Sequence, residues 1–86
     1  MVNEKQPEPV KQPERQIMTP ERRATLKAQG VTDEQINEVI VRDLMSRMGE
    51  CHTWAAERFI ALWPKEDPNL IREALQRKRV AAGYGP

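Results

Sequence analysis

The sequence predicts an all-α protein, with three to four short helices in a small helical module behind a disordered, proline-rich N-terminal tail. Three observations carry that prediction. Apolar side chains recur at spacings of three and four through Ile36, Val39, Ile40, Leu44 and Met48, which is the period of one helix face. Helix punctuation brackets the apolar stretches, with Thr19-Pro20, Thr32-Asp33 and Asp67-Pro68 as starts and Gly30 and Gly49 as stops. No strand-like alternation and no internal repeat breaks the pattern.

The tail is assigned to residues 1–18; from Met1 to Ile17, Pro7, Pro9 and Pro13 sit among Glu, Lys, Gln and Arg, and Val2, Val10 and Ile17 are the sizeable apolar side chains after Met1. Prolines remove backbone donors and favour extended chain, and so little apolar surface cannot offset the entropy of ordering. A helical protein-binding domain is assigned to residues 19–82. Thr19 caps its first helix, Pro20 suits the first helical position, and the helix runs to about Gln29, where Gly30 can turn left-handed. Thr32 and Gln35 have the spacing of a capping box, so the second helix begins at Asp33. Gly49 stops it, unless a bend there lets it continue. Thr53 is the candidate cap of a third helix, in which Ala55, Ala56, Phe59, Ile60, Leu62 and Trp63 supply a broad apolar surface up to Pro64. Asp67-Pro68 starts a fourth, with Leu70, Ile71, Ala74 and Leu75 on one side as far as about Val80. Residues 83–86 are left as a flexible C-terminus.

Eighty-six residues with 14 Lys and Arg against 13 Asp and Glu give a net charge of +1. That balance supplies no bulk drive toward nucleic acid or an anionic membrane. About 65 foldable residues seldom enclose an active site, so no enzyme activity and no cofactor is expected. Cys51-His52 holds the right groups for a metal or a thiol nucleophile, but adjacent side chains diverge and no second Cys or His completes a site. Asp33, Glu34 and Glu38 sit where negative charge complements a helix dipole. No charged leader precedes an apolar run near Met1, the single cysteine forms no internal disulfide, and no stretch nears the roughly 18 apolar residues of a membrane span. The chain reads as cytosolic.

Three groups of residues are candidates for binding. Trp54, Phe59 and Trp63 dominate the aromatic content, and Trp54 and Trp63, nine positions apart, would be about 180° apart on one helix. Either one of them faces a partner, as tryptophan hot spots do, or other helices surround the third helix on both sides. The Pro64 to Pro68 connection is either helix punctuation or an epitope for a prolyl isomerase, since X-Pro bonds interconvert slowly. Arg77, Lys78 and Arg79 are either a phosphate-contacting patch or cations favoured at a helix C-terminus. A small module is also expected to leave part of Ile40, Met45, Met48, Trp54, Phe59, Leu62 and Trp63 uncovered, which invites a partner.

The run GVTDEQINEVIVRDLMSRMGECHTWAAERFIALWPKEDPNL, residues 30–70, together with the proline-rich beginning and small size, resembles the anti-RecBCD protein 2 family of lambdoid phages. The resemblance implies a phage protein that binds the RecC subunit of the host RecBCD helicase-nuclease in the host cytoplasm and inhibits or modulates its nuclease and Chi response. It also implies recruitment of a host peptidyl-prolyl cis-trans isomerase, for which Pro68 is the first choice and Pro64 the second, and allows indirect contact with DNA. The competing readings are a small helical DNA-binding regulator that uses Arg77, Lys78 and Arg79, and a self-associating structural protein.

Overall fold

Helix α2, Asp33–Met48, is the axis of the structure because its apolar stripe is long enough to bury against more than one neighbour. In the computed structural model, which describes residues 16–84, it is preceded by α1 (Pro20–Ala28) and followed by α3 (Ala56–Leu62) and α4 (Pro68–Ala81). No strand occurs among the described residues. α2 packs chiefly along α4, α3 lies against α4, and α1 touches only α2. The all-α class and the four elements are those the sequence predicts.

Local chemistry sets the ends. Thr19 accepts the Arg22 N–H at 3.1 Å and Pro20 opens α1. Thr32 and Gln35 form the reciprocal capping box that starts α2. Asp67 accepts the Asn69 N–H at 2.9 Å ahead of Pro68 in α4. At the end of α1, Gly30 has φ +95°, and the Gly30 and Val31 amides donate to Lys27 and Leu26 carbonyls at 3.0 Å each. That paired closure needs a left-handed residue, which glycine supplies without a Cβ penalty.

The core joins Ile36, Ile40, Val41, Leu44 and Met48 of α2 to Leu70, Ile71, Ala74 and Leu75 of α4, with Phe59, Trp63, Cys51 and Met18 filling the remaining sides. Gly49, at φ +59°, ends α2 as expected, so α2 and α3 are separate helices. Three expectations change. Ala55, without a side-chain cap, precedes α3 in place of Thr53, so the third helix is shorter than the apolar pattern suggests. The proposed tail boundary at residue 18 is too late, because Met18 is buried and Ile17 packs on the core; residues 1–15 lie outside the described residues. Gly83 and Tyr84, assigned to a flexible end, close α4 by donating their backbone N–H groups to the Val80 and Arg79 carbonyls at 2.9 Å each; residues 85 and 86 lie outside the described residues.

The expected apolar surplus is also mostly absent. Ile40, Met48, Phe59 and Trp63 are buried, and Met45, Trp54 and Leu62 are half-covered against the core. Val39, Val80 and Tyr84 are the large apolar side chains left exposed among the described residues.

Removing a fully buried ring from so small a core should cost far more than trimming an exposed valine. Phe59→Ala is expected to lower the unfolding free energy by about 3–5 kcal/mol, against less than about 0.5 kcal/mol for Val39→Ala. Denaturant melts of the two variants check this, and similar losses in both would contradict the assigned core.

Candidate functional site

The residues singled out from the sequence fall into three places, and only some of them are accessible. Trp54 lies in the bend before α3, Phe59 within α3, and Trp63 at its C-cap. The tryptophans are therefore not on opposite faces of one helix, because Trp54 is outside it. Their rings instead pack on either partner of one ladder, with Trp54 and Phe59 centroids 5.2 Å apart and Phe59 and Trp63 centroids 5.4 Å apart. Phe59 and Trp63 are 0% and 1% exposed, so both are core side chains and neither can touch a partner while the fold is intact. Trp54 is the outer rung. The Arg58 guanidinium lies 3.6 Å from its ring centroid, a cation–π contact that covers one face of the ring.

The second place is the loop between α3 and α4. Pro64, Lys65, Asp67 and Pro68 are exposed, whereas Trp63 and Glu66 in the same stretch are buried. Alternating anchors thus hold a short loop with its proline residues outward. No peptide bond among the described residues is cis. Pro68 occupies the first turn of α4 directly after the Asp67 cap, so it does serve as helix punctuation, and its ring still faces solvent.

Sequence reasoning missed Glu66, a charged residue in a loop that carries no periodic signal. Its carboxylate accepts the Ile17 N–H at 2.7 Å. Burial pushes its proton affinity above the usual carboxylate range, and the Ile17 hydrogen bond and Arg47 offset only part of that. The Arg58 contact with Trp54 was also missed, although the four-residue separation hints at it.

The third place is the end of α4, where the basic triplet is largely consumed within the molecule. Arg77 donates to Glu38 Oε1 and Oε2 at 2.8 Å each and to Glu73 Oε2 at 2.6 Å. Arg79 donates to the His52 and Trp54 carbonyls at 2.7 Å each, satisfying the irregular connection between α2 and α3. Lys78 is the member of the triplet without such a partner among the described residues. A duplex-binding patch would need those arginines free to reach phosphates.

Beside this clamp, Glu34, Asn37, Glu38, Val41, Leu70 and Glu73 line a cleft of about 270 Å³ between α2 and α4. Its Glu38 is held down to about 2 by hydrogen bonds from Arg77 and then Arg42. A carboxylate so firmly ionised is a poor proton donor or acceptor near neutral pH. Among the described residues no group of three or more His, Cys, Asp or Glu is placed to hold a metal ion, and no helix is long and apolar enough to cross a membrane.

No protein-family model, no curated protein and no solved structure matches the chain.

The two perturbed carboxylates should act oppositely with pH. Glu38 is depressed in the fold, so the stability it contributes is complete above its usual value of 4.5 and is lost as pH falls from there toward about 2. Glu66 is raised above 4.5, so the native state binds the extra proton and stability falls as pH rises from 4.5 through its higher native value. Carboxyl carbon NMR titration checks both. Arg77→Gln should return Glu38 toward its ordinary range and leave Glu66 unmoved, and a Glu38 that already titrates normally in the parent chain would contradict the clamp.

Proposed function

We propose that the protein is a non-catalytic, helical protein-binding modulator that works by occupying the surface of a larger partner. The observation that carries this reading is the anchored loop of residues 63–67, whose buried Trp63 and Glu66 hold the exposed Pro64, Lys65 and Asp67 outward beside Pro68. A loop already ordered before contact loses little entropy on binding. Trp54, half-covered and one rung from the core, is the aromatic anchor within reach of a partner.

The resemblance of residues 30–70 to the phage anti-RecBCD family supports the choice of partner. On this reading the protein is phage-encoded, binds host RecBCD through the RecC subunit in the host cytoplasm, and inhibits or redirects its nuclease and Chi response. The Pro64 to Pro68 loop is the assigned contact for a host peptidyl-prolyl isomerase, and DNA is met only indirectly, through the nuclease. The internal engagement of Arg77 and Arg79 favours this reading over a DNA-binding regulator.

Purified protein mixed with RecBCD should co-elute with it and change its nuclease activity or its response to Chi. Trp54→Ala should weaken the complex roughly fivefold or more, whereas Lys27→Ala on the exposed side of α1 should stay within about twofold. Affinity capture from bacterial lysate with intact protein and with Pro68→Ala separates the two partners. Loss of the isomerase with retention of RecB, RecC and RecD supports the loop assignment. Separate elution and unaltered nuclease behaviour would refute the RecBCD reading, and a low-salt mobility shift of duplex DNA by the isolated protein would put the regulator in its place.

A further inference from the structure

Residues 16–18 form a strap held to the α3–α4 loop at one polar point. The Ile17 N–H donates to Glu66 Oε2 at 2.7 Å, joining positions 49 apart in the chain. Glu66 is 6% exposed although Lys65 and Asp67 on either side of it are open to solvent. Its carboxylate is within reach of the charges of Arg47 and Asp43 on α2, which pair with each other at 3.0 Å. On the strap side Met18 is buried and Ile17 packs on the core. On the loop side the Glu66 N–H closes a turn on the Trp63 carbonyl at 3.1 Å.

We propose that Glu66 is a clasp through which the 16–18 strap, when seated, fixes the conformation of the proline loop. Lifting the strap removes the carboxylate's backbone donor and leaves a buried charge under-compensated, which favours turning Glu66 out to water. Glu66 carries both the carboxylate that accepts from the strap and the amide that closes the turn on the Trp63 carbonyl, so loss of the buried carboxylate anchor loosens that turn. By linkage, whatever takes hold of the loop shifts the strap, and whatever pulls the strap changes the loop by the same free energy. The coupling belongs to the fold and does not rest on the identity of a partner.

Amide hydrogen exchange on the full chain tests the clasp from the side remote in sequence. Ile17→Pro removes the donor, and Ile17→Ala keeps the donor while trimming the side chain. The Glu66 amide should exchange about tenfold faster or more in Ile17→Pro and stay within about threefold of the parent in Ile17→Ala, with Ile40 and Leu44 amides of α2 unchanged in both. An unchanged Glu66 amide in Ile17→Pro overturns the clasp. So does an equal rise in Ile17→Ala, which would assign the coupling to packing, or a rise shared by Ile40 and Leu44, which would make it general loss of stability.

Discussion

Insertion of Phe59 between the two tryptophans is the contact on which the rest of the molecule depends. Helix α3 spans seven residues and has no side-chain N-cap, and a helix that short has no stability of its own in water. It persists because Phe59 and Trp63 are buried among the side chains of α2 and α4. Trp54 acquires a fixed position from the same ring, and Trp63 anchors the start of the loop that carries Pro64. Loss of that one aromatic contact would therefore unfix both of the surfaces assigned to a partner. The Trp63 indole N–H is buried without a hydrogen bond among the described residues, so shape and apolar burial, not polar bonding, hold this ladder in place.

Electrostatics then divide the surface into what is used internally and what is offered. Glu38 of α2 and Glu73 of α4 share Arg77, and Arg79 reaches across to the connection after α2. These bonds tie α4 to α2 and to the connection between α2 and α3, at the cost of the basic patch that a reader of the sequence sees. The proline loop shows the reverse arrangement. Its one buried charge, Glu66, is turned inward to the chain, while Lys65 and Asp67 remain in solvent. The end of α4 is thus structural, and the surface proposed for recognition lies at its beginning.

Helix boundaries were legible in the sequence because they are decided by neighbours a few positions apart. Thr19, Thr32 with Gln35, Gly30, Gly49 and Asp67-Pro68 all act as their spacing indicates. The start of α3 was not legible, since the apolar run from Ala55 to Trp63 suits a longer helix, whereas the chain is still in a bend at Trp54 and enters the helix only at Ala56. Phe59 and Trp63 were read as surface candidates because composition shows how many large side chains exist and not how three helices close over them. Glu66 and Ile17 were invisible for a related reason: a bond between positions 49 apart leaves no local pattern. Arg77 and Arg79 looked free because, apart from Glu73 one turn before Arg77, their acceptors, Glu38 and the His52 and Trp54 carbonyls, lie far away in the chain.

On the proposed function, the exposed Pro64, Lys65, Asp67 and Pro68 together with Trp54 meet the partner, while the α4 C-terminus and the core side chains Phe59 and Trp63 do not. Hydrogen exchange of the intact chain, alone and saturated with purified RecBCD, measures this directly. The account predicts slowed exchange at the Lys65 and Glu66 amides and around Trp54, with the amides of residues 77–80 unaffected. Slowing confined to residues 77–80, or no slowing anywhere, would contradict it.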